Sequence, residues 1–390
     1  MPYALPPAEA KLPFFRLLKG AVAGEVDFAQ RLHGYLGVEK CLLANSGKSL
    51  LYLLLRWLSS RGSSGRDEVL IPGYTCYSVA AAVVKAGLKV VLYDLDPATF
   101  QPDLQDIKRK IGVRSLAVVG QHLFGMPSDM GRLAVLAREH GVCVIEDSAQ
   151  AFGAGKKGSP EGMVADFSFF SFGRGKPLPL GCGGALIARD VADLDRLCSE
   201  NIGTAHGKVN FLVPFAVQIF SRPHLYWILE KLPLGLGRTI YDPGFIVSAM
   251  PSFYQRIGTA VLQDLVRLNR HRAMIGRVYL EYFQADIARA EAVPCFTRFP
   301  VFVENRNALR LLTAYGVRQM YPLALCDLPA LHKNLAQAME KTPGARHIAE
   351  HLITLPTHLS VDRRMAELIA REVEEHFRMI KTVSLVNGEK

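Results

Sequence analysis

The sequence predicts a three-layer α/β domain with a mostly parallel sheet, followed by a smaller α+β domain. Three observations predict it. Between about residues 38 and 190, short runs that are apolar throughout alternate with amphipathic stretches of helical period. At about residue 201 this rhythm gives way to a segment dense in aromatics and prolines, and a long helical pattern then opens a second, shorter series. Strands apolar on both faces and separated by helices form a parallel sheet covered on both sides. Ligands of such sheets bind beyond the carboxyl ends of the strands.

The predicted strands of the first series are Cys41–Ala44, Glu68–Pro72, Val90–Asp94, Leu116–Gly120, Val142–Asp147, Asp166–Phe172 and Gly184–Ala188. Helices are expected between them at Leu50–Leu58, Ser78–Lys85, Asp103–Lys110, Met130–His140 and Val191–Cys198. Residues 201–255 carry Pro214, Pro223, Pro233 and Pro243, which argue against a continuous element. One long helix is then expected over Arg256–Phe283, a strand at Phe299–Val303, a helix at Asn307–Tyr315 and a last helix at Val361–Lys381. The expected division is residues 1–250 for the large domain, with an apolar insertion at about 205–250, and residues 251–390 for the linking helix and small domain.

Composition narrows the function classes. A chain of 390 residues that is 49% hydrophobic and 21% charged buries an ordinary globular core and is not disordered. Its 46 Lys and Arg against 36 Asp and Glu give a net charge of +10, which favours anionic partners. No basic run interleaved with aromatics is present, so nucleic-acid binding is not expected. Seven cysteines, odd in number and without C-x-x-C or paired Cys/His spacing, suggest neither a disulfide scaffold nor a zinc site. Buried reduced thiols, and hence a cytoplasmic protein, are the expectation. The amino terminus has no basic, apolar signal pattern, and the apolar stretch Phe211–Phe220 is half the roughly 20 residues a bilayer crossing requires.

Asp147 ends an apolar strand in Val-Ile-Glu-Asp-Ser-Ala-Gln, so the strand delivers a carboxylate to the ligand end of the sheet. Lys176 follows in a glycine-rich loop, Ser-Phe-Gly-Arg-Gly-Lys-Pro-Leu. A lysine in such a loop can form a Schiff base with an aldehyde, and a carboxylate facing a pyridine nitrogen keeps it protonated. The plainer alternative is an exposed loop lysine and an aspartate that caps the next helix.

Around this pair the chain resembles the DegT/DnrJ/EryC1/StrS family of pyridoxal-phosphate-dependent sugar aminotransferases, from about residue 38 to the carboxyl terminus. The resemblance is carried by Glu146-Asp147-Ser148-Ala149-Gln150 with Gly153-Ala154, by Asp166 through Ser171-Phe172 and Lys176, and by Pro72-Gly73-Tyr74-Thr75. His122-Leu123-Phe124-Gly125, Tyr321-Pro322 and Leu355-Pro356 continue it in the family's order. It implies a fold-type I enzyme that acts as a homodimer with shared sites, using pyridoxal 5′-phosphate to move an amino group from an amino acid, glutamate by expectation, to an activated keto-sugar. It also implies Lys176 as the Schiff-base lysine, Asp147 as partner of the ring nitrogen, Gln150 beside the ring's 3-hydroxyl and Ser171 on the phosphate. Lysine, where the dehydratase branch has histidine, favours amino transfer. The rival readings are a sugar dehydratase, a transaminase of non-sugar ketones, and a regulator that binds the cofactor without catalysis.

Ala44-Asn45-Ser46-Gly47-Lys48-Ser49 matches the family's phosphate turn, with Gly47 at a helix start whose N–H groups suit an anion. A nucleotide P-loop is excluded because Leu42 stands where it needs glycine. Lys48 replaces the family's threonine, and either charges the phosphate site or points to solvent. Cys76 stands where the family has an aromatic ring, leaving Tyr77 or Cys76 to meet the cofactor. Arg256 matches a family arginine, but Tyr254 occupies the position of an asparagine donated by the neighbouring subunit. His122 either reaches the ligand or is a structural histidine. Together with Tyr321 and Arg256 it forms the expected substrate wall. His347 and His351, four apart, read as packing residues, and no metal is expected. The segment Val209–Pro251, with Phe211, Phe215 and Trp227, reads as an added helical pair or, more sharply, as a peripheral membrane surface.

Overall fold

The structure is a computed structural model that describes residues 4–8, 12–24, 27–61, 65–154, 164–199, 215, 219–220, 222–226, 240–284, 293–337 and 341–382. Seven strands form the main sheet: β1 (Leu42–Ala44), β2 (Glu68–Pro72), β3 (Lys89–Tyr93), β4 (Ser115–Gln121), β5 (Cys143–Asp147), β6 (Phe167–Ser171) and β7 (Gly184–Ala188). Their order is β1-β7-β6-β5-β4-β2-β3, and β7 runs antiparallel to both its neighbours while the other pairings are parallel. All seven expected strands are present within two residues of their predicted limits.

Alternation along the strands makes the layers. On β6, Phe167 and Phe169 enter one core, whereas Phe170 and, just beyond the strand, Phe172 enter another with Ala185 and Ile187 of β7. Successive residues of a strand point to opposite faces, so the sheet is covered on both sides. The first core takes helix Gly47–Ser60 through Leu50, Leu51, Leu54 and Leu55. The second is closed by helices Phe14–Val22, Phe28–Leu36 and Ser252–Val261. The first two of these lie before the stretch that sequence periodicity organised. Asp27 starts Phe28–Leu36 by accepting the Gln30 N–H at 2.9 Å, and Gly37 ends it at φ 69°.

The later series differs from expectation in three places. The helix expected over Arg256–Phe283 is two, Ser252–Val261 and Leu265–Tyr282, joined by a 3-10 turn at Leu262–Asp264. Asn307–Tyr315 is 3-10 rather than α-helix, ending at Gly316 with φ 76°. The last helix spans Arg363–His376 and stops there, because the chain turns extended at Phe377 and enters a strand, Met379–Thr382. That strand (β10), with β8 (Phe299–Val303) and β9 (Leu352–Leu355), forms a second sheet of order β10-β8-β9.

The two sheets are fastened by polar contacts across the junction. The buried Asp94, just past β3, accepts the N–H groups of Gly344 at 2.9 Å and Ala345 at 2.8 Å, capping helix Pro343–His351. A Cβ on Gly344 would lie 2.0 Å from the Leu95 carbonyl oxygen. His347 and His351 share a face of that helix, with ring centroids 4.6 Å apart; His347 lies against Phe302, and His351 Nδ1 donates to the Val303 carbonyl at 3.0 Å. Among the described residues no helix is long and apolar enough to cross a membrane. Of the apolar segment, Phe211, Leu212, Val213, Trp227, Ile228 and Leu229 lie outside the described residues, while Phe215 packs edge-on against Phe14 with ring centroids 6.4 Å apart.

Candidate active site

A cavity of about 220 Å³ opens at the carboxyl ends of β4, β5 and β6. Its floor is one register row of the sheet: Gln121 pairs with Asp147 and Asp147 with Phe169, and all three line the cavity. Lys176 reaches the same space from the loop after β6, so the strand-end carboxylate and the loop lysine face one cavity. Asp147 Oδ1 accepts the Ala149 N–H at 3.0 Å. Burial pushes the Asp147 carboxyl up, against the opposing pull of Lys176, the Ala149 N–H and His122.

The adjacent carboxylate behaves oppositely. Glu146 is 2% exposed and accepts from His122 Nε2 at 2.7 Å, from Ser148 Oγ and from Ser168 Oγ, each of these two at 3.3 Å. Burial alone would raise its pKa, but the hydrogen bonds from His122 and the two serines hold it below the usual carboxylate value. The Ser128 N–H donates to His122 Nδ1 at 2.9 Å, so the ring proton is on Nε2 and points at Glu146. His122 therefore lines the cavity with both nitrogens engaged. Of the two expectations for His122, a residue that reaches the ligand and a hydrogen-bonded structural histidine, the geometry holds both features at once: it lines the cavity and is fixed by two hydrogen bonds.

The opposite wall comes from the later part of the chain. Gln150 donates through Nε2 to Tyr321 Oη at 3.2 Å and accepts from Thr297 Oγ1 at 3.2 Å. Tyr321 holds φ 50°, lines the cavity, and lies against Tyr74 and Tyr77 with ring centroids 5.3 and 6.3 Å away. Tyr77 is turned away from the cavity: its hydroxyl donates to the Leu323 carbonyl at 3.0 Å and accepts the Leu323 N–H at 2.9 Å. Cys76 lines the cavity in its place, with Ser78 Oγ 3.0 Å from Cys76 Sγ. Of the two alternatives at this turn, the cysteine faces the ligand space. Thr297, which braces Gln150, carries no motif that sequence reading could have used.

The remaining end is a helix start. Ser46 caps Gly47–Ser60 by accepting the Ser49 N–H at 3.3 Å. Gly47 is pressed onto β6, where a Cβ would lie 3.1 Å from Ser171 Cβ and 3.3 Å from the Phe170 carbonyl oxygen. The glycine lets the helix start and the Ser171 hydroxyl share one corner of the cavity. Lys48, expected either to charge the phosphate site or to point to solvent, lines the cavity, and its Nζ sits 4.6 Å from the centroid of the Phe245 ring. Arg256 does not line the cavity. Its helix packs on Phe14–Val22, where a Cβ on Gly20 would fall 3.0 Å from the Arg256 carbonyl oxygen, and its buried Nε has no hydrogen-bond partner among the described residues.

Comparison with known proteins agrees with this geometry. The model of the DegT/DnrJ/EryC1/StrS aminotransferase family matches residues 23–374. The UDP-2-acetamido-2-deoxy-3-oxo-D-glucuronate aminotransferase of Pseudomonas aeruginosa is 27% identical over 88% of both chains. A pleiotropic regulatory protein of Geobacillus stearothermophilus is 35% identical over 82% of this chain and 81% of that protein. Among solved structures, Helicobacter pylori PseC, an aminotransferase involved in the biosynthesis of pseudoaminic acid, superposes with a TM-score of 0.75 at 18% identity, covering 96% of this chain and 99% of that one. The matched regions of several further curated relatives span less than half of those proteins, 44% and 40% for two of them.

Proposed function

The chain belongs to the DegT/DnrJ/EryC1/StrS aminotransferase family, and from that membership we propose that it is a pyridoxal-phosphate-dependent aminotransferase. In this reading it moves an amino group from an amino acid, glutamate by preference, to the keto group of an activated sugar. One observation carries the proposal: Asp147 and Lys176 face the same cavity, whose far corner is a helix start joined to a serine hydroxyl. That donor set suits the cofactor, with a carboxylate for a ring nitrogen, an amine for an aldehyde, and N–H and hydroxyl groups for a phosphate.

When bound, the cofactor supplies an aldehyde that carries the amino group and a ring that withdraws electrons from the substrate carbon. The protein supplies the rest. Asp147, shielded from water, holds negative charge where it stabilises a protonated ring nitrogen. Lys176 Nζ takes a proton from the donor carbon side and returns it, acting as general base and then general acid. Gln150, held between Tyr321 and Thr297, fixes one edge of the ring, while Ser171 and the N–H groups after Ser46 bind the phosphate. Cys76 and His122 line the walls and keep water from the reacting centre.

A homodimer with shared sites and a cytoplasmic location complete the proposal, the latter supported by seven cysteines that are all free thiols. Peripheral membrane contact through residues 209–251 is supported by Phe14 and Phe15, 55% and 70% exposed, the first of which packs against Phe215. Retention of the protein on anionic vesicles, abolished by F15E, tests it. A cofactor-binding regulator is the second reading, favoured by the name of the Geobacillus relative. The visible absorbance of cofactor-loaded protein separates the two. A band that bleaches with glutamate and returns with a UDP-keto-sugar supports the transferase, and a band indifferent to both supports the regulator.

A further inference from the structure

The charge balance of the cavity assigns a role to Lys48. A phosphate monoester carries about −1.5 to −2 charges at neutral pH. Of the residues that line the cavity, Lys48 and Lys176 are the lysines, no arginine is among them, and Asp147 adds a negative charge. Lys176 is committed to the aldehyde end in the reading given above. The helix start beside Gly47 contributes partial positive charge, equivalent to about half a unit. Lys48 is the remaining full cation, and it stands in the first turn of that same helix.

Its surroundings hold it ready. No carboxylate lies within ion-pair distance of Lys48 among the described residues, and its ammonium rests on Phe245, 4.6 Å from the ring centroid. A second ammonium, that of Lys85, approaches the same ring at 5.0 Å from its centroid, so two like charges share one aromatic ring. The ring is buried and its strand of chain is tied to the phosphate turn: Asn45 Nδ2 donates to the Ile246 carbonyl at 3.0 Å, and the Asn45 N–H donates to the Ser248 carbonyl at 2.9 Å. A cation–π contact at a part-exposed site is worth less than a charge-assisted hydrogen bond to a phosphate oxygen.

We infer that Lys48 is a charged ligand of the cofactor phosphate, parked on Phe245 until the phosphate arrives, with Phe245 as the positioning residue. The inference rests on the proposed use of this cavity for pyridoxal phosphate. It is tested by equilibrium titration of cofactor-free protein with pyridoxal 5′-phosphate and with pyridoxal, which lacks the phosphate, at low and high salt. K48M weakens pyridoxal phosphate binding by about ten- to a hundred-fold, the range for losing a hydrogen bond to a charged group. It leaves pyridoxal binding unchanged and flattens the salt dependence. K48R keeps the preference for the phosphorylated ligand, and F245L gives a smaller, phosphate-specific loss. Equal binding of pyridoxal phosphate by wild type and K48M, with equal salt dependence, overturns the assignment of Lys48 alone. Absence of binding by the wild type overturns the reading of the cavity and this inference with it.

Discussion

The two ends of the cavity are built by opposite means. At the ring end, Gln121 and Asp147 sit in register on adjacent strands, and Glu146 beside them is locked by His122, Ser148 and Ser168. At the end proposed for the phosphate, a helix start, a glycine pressed onto β6 and one lysine resting on an aromatic ring line the corner. The first end holds its carboxylates in a buried, hydrogen-bonded sheet; in the proposed reading the second offers a helix start and a half-buried lysine to an anion. The carboxylates of the first end are held by their hydrogen bonds, and the groups of the second have fewer such ties.

Substitutions at the ring end break this comparison most severely. Lys176→Ala lowers amino transfer by about 10²–10⁴-fold or more, the range for a positioned acid–base group. Steady-state amination of a keto-sugar checks this, and a variant within tenfold of wild type would contradict it. Asp147→Asn lowers the turnover of the loaded enzyme by about 10²–10³-fold, as loss of one preorganised charge does. A loss seen only in cofactor affinity would move Asp147 from chemistry to binding.

The paired carboxylates sharpen the comparison through pH. The folded state depresses the Glu146 pKa, so Glu146 contributes stability that is fully present above its ordinary value and is lost as pH falls through the depressed one. The folded state raises the Asp147 pKa, so without cofactor Asp147 takes stability away as pH climbs from the ordinary value to the raised one. Denaturant unfolding across the acid range should therefore show Glu146→Gln costing about 1.5–3 kcal/mol above that window, with the cost fading toward acid. Asp147→Asn should flatten the loss on the rising side. Parallel pH curves for both variants and the wild type would refute the opposite shifts. The smallest effect belongs to Tyr77→Phe, which removes a hydroxyl facing away from the cavity. It should cost about 1 kcal/mol in unfolding and leave the cofactor's absorbance band in place.

Much of the ring end could be read from the sequence because strands carry their chemistry in order. An apolar run ending in Glu146-Asp147 states both the element and the residue it delivers, and the seven strand positions followed from the same runs. The wall from residues 293–337 was less legible. Tyr77 follows the turn at Cys76 and looks equally able to face the ligand; only the Leu323 backbone, some 246 positions away, turns its hydroxyl outward. His122 reads equally as a ligand contact and as a structural histidine until Ser128 and Glu146 are seen to take both nitrogens. Lys48 offered two directions, the phosphate site or solvent, and its contact with Phe245, a residue in no motif, could not be read from the sequence. The helix read over Arg256–Phe283 is interrupted because Leu262–Asp264 tightens into a 3-10 turn within an unbroken apolar pattern. Periodicity cannot register that change.

The contact between Asp94 and Gly344 bears on any attempt to recombine this chain with a relative. A carboxylate after β3 supplies the cap for a helix some 250 positions later, and the helix supplies a residue with no side chain to admit it. A chimera cut between the two sheets would give one parent's helix to the other parent's aspartate, and a bulkier residue at position 344 would collide with the Leu95 carbonyl. Exchange of the carboxyl-terminal portion to alter acceptor choice therefore has to carry the loop after β3 along with it, so the transferable module is discontinuous in sequence.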